Sequence, residues 1–283
     1  MVLRIALILC FSWPVFAFGQ TVVIDIEYQP NTTYQWSRSY SNDRIVEYLG
    51  AEDLGDYFQQ LGLDPYSERH NDDYLEVSMR TLEEDGQKLP YVASVEGFRD
   101  DYKSSNPRAS GITREPLEIH DLVIHGVINH FQKIEIDSIH GVDSLYEKNK
   151  VFKLLDDTHR SWKFPNDSMT AGQKVETEVN FTGFQFQPAK LITEYHLEKI
   201  EGDVVHIRLE MSVTTEKQEN EGGLLDKRNV QGTGAGLLLY NRKLKQVTLL
   251  ERKMSVKSFS ETMNLSMESA ATSTYRWTMN VIN

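Results

Sequence analysis

Apolar residues recur at every second position in segment after segment of this chain, and that period constrains the fold more than any other feature. In a strand successive side chains point to opposite faces, so sustained alternation specifies a sheet with one apolar and one wet face. Residues 204–215 show it most clearly: Val205, Ile207, Leu209, Met211 and Val213 point one way, while His206, Arg208 and Glu210 point the other. The tripeptide Glu201-Gly202-Asp203 before them reads as a hairpin turn from a strand over 191–200. Val22, Ile24, Ile26 and Tyr28 alternate likewise, and Pro30-Asn31 turns the chain into residues 33–40. Leu75, Val77, Met79 and Thr81 pair through Asp85-Gly86 with a strand over 91–97. Further strands fall at about 117–127 and 131–138, ending at His140-Gly141, and later at 175–181, 231–240, 245–258 and 273–281.

One helix interrupts this pattern, from about Ser144 to Trp162. Ser144 can cap it, and Leu145, Lys148, Phe152, Leu155 and His159, with Val151, Leu154 and Thr158 alongside, form its stripe. Phe164-Pro165 ends it, and a shorter helix is expected around 51–63. The polar excursions 99–114 and 216–229 read as exposed loops. The fold class expected is mainly β: curved antiparallel sheets around one central helix. Residues 20–283 form a single large domain or two similar halves, 20–141 and 174–283, joined by the helix region 142–165. The halves share an outline of extended strand, long hairpin, polar excursion and long hairpin, as a duplication would leave.

Residues 1–19 carry Arg4, an apolar run from Ile5 to Trp13, Pro14 and the small-residue pattern Ala17-Phe18-Gly19. That is the order of a secretory signal peptide, with cleavage expected after Gly19, and the run is too short and interrupted for a membrane anchor. Cys10 follows the bulky Leu9 inside the run, which rules out a lipid-bearing cysteine. Its removal leaves a mature chain without cysteine, hence without disulfides or a thiolate zinc site. No other stretch approaches the roughly 20 apolar residues of a transmembrane helix.

Lys163-Phe164-Pro165-Asn166-Asp167-Ser168-Met169-Thr170-Ala171-Gly172-Gln173-Lys174-Val175 follows the helix and opens a new run of strands. It resembles a stretch in exported bacterial proteins of a family with no assigned function, although Lys174-Val175 stands where that family often has an aromatic residue. The resemblance implies a signal peptide, a mostly β mature region covering nearly the whole chain and an envelope or secreted location. It brings no catalytic residues.

Charge excludes one class of partner: 42 Asp+Glu against 30 Lys+Arg give a net charge of -12, which repels phosphate backbones, so no nucleic-acid role is expected. His120, His125, His130 and His140 lie close in sequence, but strand geometry puts His125 opposite His120 and His130, and no HExxH or His-x-His accompanies them. Asp137, Asp143, Asp156 and Asp157 surround the turn and helix without an EF-hand pattern, and Asp143 suits the helix dipole without an ion. Gly232-Thr233-Gly234-Ala235-Gly236 lacks the lysine of a P-loop and precedes a strand; its glycines form a smooth strip on one strand face, for close packing. No Gly-x-Ser-x-Gly occurs, and the adjacent carboxylates Glu83-Glu84 and Asp100-Asp101 fall where turns are expected. Tyr34, Trp36, Tyr40, Tyr48, Tyr275 and Trp277 fit a β core better than a sugar platform. Asn31, Asn166, Asn180 and Asn264 open glycosylation sequons, which matter only in a host that glycosylates.

The sequence therefore assigns no catalytic residue, metal ligand or cofactor, and leaves the ligand-binding residues unknown. It is expected to be an exported, periplasmic or extracellular protein with a binding or scaffold role, its partner an apolar ligand, a lipid or an envelope protein. The alternative is an exported hydrolase whose acids or histidines converge from separate strands.

Overall fold

The computed structural model describes residues 21–49, 60, 64–105, 117–119, 122–129, 133–141, 144–160, 164–165, 167–182, 188–215, 227–262 and 265–282. The signal region, the expected helix at 51–63 apart from residue 60, and His120 and His130 lie outside them.

The described chain forms fourteen strands and one helix longer than a turn. In chain order the strands are β1 (Thr21–Val22), β2 (Thr33–Leu49), β3 (Tyr66–Thr81), β4 (Leu89–Ser104), β5 (Leu117–Ile119), β6 (Leu122–Ile128), β7 (Ile134–His140), β8 (Met169–Thr170), β9 (Lys174–Thr182), β10 (Pro188–Glu201), β11 (Val204–Thr215), β12 (Lys227–Asn241), β13 (Gln246–Thr262) and β14 (Leu265–Ile282). The helix α1 (Leu145–Arg160) separates β7 from β8. One curved, open antiparallel sheet takes twelve strands, in the order β7-β6-β4-β3-β2-β14-β13-β12-β11-β10-β9, with β5 beside β6 on β4. The path is a meander throughout, except that β2 pairs with β14 and so brings the two ends of the chain together. Gly86 and Gly202 take positive φ of 65° and 61° at the two turns the sequence marks, where a side chain would be strained.

Residues 23–30 depart from the expected first strand. Only Thr21–Val22 pair, with Met169–Thr170, and the rest crosses the sheet's end. Its alternation is real, since Ile24 and Tyr28 are buried, but its backbone bonds go to strand ends: Glu27 N–H donates to Lys245 O, and the Gln246 side chain donates to Glu27 O. The Tyr240 hydroxyl donates to Asp25 O from the same corner. The segment thereby stoppers the bottom of the concavity.

The core fills the concave side at this end. Tyr34, Trp36, Leu75, Val77, Met79, Phe98, Leu122, Ile124, Ile207, Leu209, Leu238, Trp277 and Met279 are buried together, and Val151 and Leu155 of α1 join them. The helix thus docks by Val151 and Leu155, while Leu145 and Phe152 of the expected stripe are exposed at 76% and 45%. The aromatics Tyr34, Trp36, Tyr275 and Trp277 are core residues, as expected.

The outer face is polar. Along β2 it presents Gln35, Ser39 and Asp43; along β14, Thr274, Arg276 and Asn280; along β13, Lys253, Ser255 and Lys257. A membrane barrel needs an apolar band there, so this sheet turns its polar side where such a barrel meets lipid. No helix is long and apolar enough to cross a membrane.

The glycine strip of β12 faces inward, opposite Val213, Met211 and Leu209. A Cβ on Gly236 would stand 2.3 Å from the Glu251 carbonyl oxygen, and one on Gly234 2.7 Å from that of Lys253. The strip is therefore a packing device, which lets β12 and β13 approach closely as the sheet bends. We expect Gly236→Ala to lower stability by about 1–3 kcal/mol, as overpacking does; urea unfolding checks it, and an unchanged midpoint would remove this explanation.

Candidate ligand-binding face

Antiparallel register lines up inward-facing residues in rows across the sheet, and the rows change character along the strands. One row is largely apolar: Phe98, Leu75, Arg38, Trp277, Leu250, Leu238, Ile207 and Leu197. Two residues further up β2 the row reads Asp100, Asp73, Tyr40, Tyr275, Arg252, Gly236, Leu209 and Tyr195. Next come Tyr102, Asn71, Asn42, Ser273, Met254, Gly234 and Met211, then Ser104, Arg69, Arg44, Ala271, Val256, Gly232 and Val213. Above the filled core, then, β2–β4 present polar side chains to the concavity and β11–β13 present mostly apolar ones.

Asp73 and Asp100 meet across β3 and β4. Burial raises the Asp73 carboxyl first, and the hydrogen bond and charge of Asp100 raise it further, to about 6. Lys150 reaches down from α1 to Asp100, Nζ to Oδ2 at 2.6 Å. Burial alone would lower the Lys150 pKa, but Asp100 holds it above its ordinary value. Burial and the neighbouring Asp73 also raise Tyr40. Beside this group, Arg38 and Arg252 lie against the Tyr275 ring at 5.7 and 4.7 Å from its centroid. Burial pushes the Arg252 pKa down, partly offset by Tyr275 and Tyr195.

At the next polar level Arg44 and Arg69 stand directly opposite each other. Burial, then the charge of Arg69, lowers the Arg44 pKa. Arg44 Nη2 lies 3.5 Å from Ser269 Oγ, and the buried Arg69 Nε has no hydrogen-bond partner. Among the described residues the concave side thus carries five cations, Arg38, Arg44, Arg69, Arg252 and Lys150, against two carboxyls, Asp73 and Asp100. The chain as a whole is acidic at -12, so this local excess of cations runs against the overall balance.

Enclosed space at the filled end is small. A cavity of about 20 Å³ lies among Phe164, Thr177, Thr193, Tyr195, Leu250 and Arg252, room for one water. The upper rows are mixed: Ala189, Val213, Val230 and Val256 form a second buried apolar cluster and Val46, Ser67, Ser258 and Ser269 are buried, while Asn42, Arg44, Arg69, Asn71, Tyr102 and Met254 are half-buried.

The residues singled out in sequence are scattered. His125 and His140 stack edge to face at 5.6 Å on the β6–β7 edge, and His140 shares a hydrogen bond with Ser138 rather than with a carboxylate. Asp100 and Asp101 occupy a strand instead of a turn and point to opposite faces, Asp101 pairing with Lys103 and Arg99. Other histidines meet carboxylates on the outer face: His70 lies 2.6 Å from Asp43 and 2.7 Å from Asp72, whose hydrogen bonds raise its pKa. Glu194, His196 and Glu210 are the one described group close enough to share a metal ion. Lys174 and Arg208 already pair with those two glutamates.

No family model and no curated protein matches the chain. Among solved structures, OccK7 (OpdD) of Pseudomonas aeruginosa is 7% identical, covers 89% of this chain and 100% of its own, and gives a TM-score of 0.26. The T2SS secretin XcpQ of Pseudomonas aeruginosa is 8% identical, covers 90% of this chain and 60% of its own, and gives 0.15. At such TM-scores neither likeness carries an argument about this chain.

The carboxyl pair makes a pH prediction. A folded pKa raised above the ordinary 3.8 means that Asp73 contributes stability fully below about pH 4 and loses it as pH rises through about 6. Between pH 4.5 and 7.5, wild type should lose more stability than Asp73→Asn in parallel urea titrations. Equal losses would show that Asp73 titrates normally.

Proposed function

We propose that the chain is an exported, non-catalytic binding protein of the cell envelope, periplasmic or extracellular, that holds a lipid or other partly apolar ligand on its upper concave face. The supporting observation is the retention of half-buried polar side chains on the inward face of β2–β4, opposite the apolar inward residues of β11–β13. Buried charge costs free energy, so polar side chains kept at these inward positions favour a role beyond packing. The signal-peptide order of residues 1–19 and the polar outer face support export as a protein that meets water, not lipid, along its sheet.

The second reading, an exported hydrolase, draws on Asp73 and Asp100, which come from separate strands and include a carboxyl titrating near neutrality. Lys150 and the core around α1 cover that pair, which favours a structural role for it. Native mass spectrometry of protein purified without detergent tests the preferred reading. We expect a bound amphiphile that solvent extraction removes, and a thermal midpoint that drops on its removal. A bare polypeptide in every preparation, with no midpoint shift when total lipid extract is added back, would contradict it.

A further inference from the structure

The small cavity at the filled end is a separate place from the upper face proposed for the ligand, and neither needs the other. We propose that this cavity binds one small monovalent anion of halide size, held by the Arg252 guanidinium, the Thr193 hydroxyl and the paired hydroxyls of Thr177 and Tyr195.

Register assembles the polar wall. Thr177 on β9 and Thr193 on β10 are direct cross-strand partners, and Tyr195 follows two positions along β10 on the same inward face. Thr177 and Tyr195 share a hydrogen bond, which uses one of their two hydroxyl hydrogens and leaves the other for the cavity. Thr177 and Thr193 are 8% exposed and Tyr195 6%, so these hydroxyls are withdrawn from bulk water. Leu209, Leu238, Leu250 and Phe164 supply the apolar walls. Arg252 enters from β13. Its cross-strand partner Gly236 has no side chain, and a Cβ there would stand 3.3 Å from Arg252 Cγ, so the arginine stem crosses the space that the glycine leaves.

Arg252 has no counterion among the described residues. Glu251 turns to the outer face, where it pairs with Arg276. The inward acids of its own row, Asp73 and Asp100, are three and four strands away, at least about 14 Å at the usual spacing. Its near neighbours are the Tyr275 ring, 4.7 Å away, Tyr195 and a second cation, Arg38. A ring face attracts a cation but carries no net charge. A guanidinium drawn out of water calls for an opposite charge, and the direction in which burial moves Arg252 agrees. The cavity it lines, about 20 Å³, has the size of one water or one small monovalent ion. Water satisfies the hydroxyls and leaves the charge; a halide accepts from N–H and O–H alike and neutralises it. Sulfate, phosphate and carboxylates are too large for the space.

The test is thermal unfolding of the full-length protein at constant pH and ionic strength while sodium gluconate, whose anion is too large to enter, is replaced by sodium chloride or bromide. The expected result is a midpoint that rises saturably, by about 3 °C or more at 100 mM halide. A bromide-soaked crystal of wild type should show an anomalous peak within hydrogen-bonding reach of the Arg252 guanidinium, a readout that needs no variant. Arg252→Met should lose the halide increment, with circular dichroism confirming that it folds. Thr193→Val, which keeps the charge and removes one donor, should weaken halide binding about tenfold. Equal midpoints in gluconate and halide would overturn the site. So would a halide increment that both variants retain, or bromide peaks confined to the protein surface.

Discussion

The β2–β14 pairing is the interaction on which the rest of the structure depends. It runs from Thr33 opposite Ile282 to Leu49 opposite Ser266, joining residues that lie more than two hundred positions apart. Without it, the strands before α1 and those after it would be two separate meanders, each with a long unpaired edge open to other chains. With it they become one sheet whose remaining edges are β7 and β9, on either side of the helix region. Closing so long a loop costs entropy that local hairpins do not, so this seam should form late in folding. It also sets Trp36 against Met279, Arg38 against Trp277 and Tyr40 against Tyr275, and thereby fixes both the core and the polar row above it.

Along the same strands the concavity changes purpose. The lower rows are closed by the crossing segment around Ile24 and Tyr28 and by Val151 and Leu155 of α1. Above them the inward positions turn to Arg, Asn, Asp and Tyr, and the energetic logic reverses. A half-buried arginine pair and a buried carboxyl pair cost stability that hydrophobic substitutes would recover. Lys150 offsets part of this by bonding Asp100, so the docking of α1 is tied to the polar row as well as to the core. Tyr275, between Arg38 and Arg252, offsets another part through its ring faces.

The lower half of this design was legible in the sequence and the upper half was not, for one physical reason. Alternation of apolar and polar residues identified 204–215 almost residue for residue, as well as the turns at Gly86 and Gly202, because one face there is fully apolar. On β2 the apolar parity of Tyr34 and Trp36 continues as Arg38, Tyr40, Asn42 and Arg44, so the contrast vanishes while the strand persists to Leu49. The same loss hid the first half of β3, where Arg69, Asn71 and Asp73 point inward, and made residues 99–104 of β4 look like a loop. The rows that defeat the periodicity are the candidate site. Strand parity carried past the last apolar residue would have found Arg38 and Arg44; the meeting of Asp73 with Asp100, and of either with Lys150, depends on register and helix docking that no local pattern contains. On the helix, the expected stripe held Leu155 and, alongside it, Val151, which are buried, but also Leu145 and Phe152, which are exposed; spacing alone does not resolve which side of so broad a stripe docks.

The central claim is that the β2–β14 pairing makes one open sheet whose inward positions change from apolar to polar along β2. A crystal structure of the full-length protein tests it most directly. The account predicts Thr33 opposite Ile282 and Leu49 opposite Ser266, with Arg38, Tyr40, Asn42 and Arg44 on the same face as Tyr34 and Trp36. Separate sheets before and after α1, or those four residues on the outer face of an otherwise intact sheet, would contradict it.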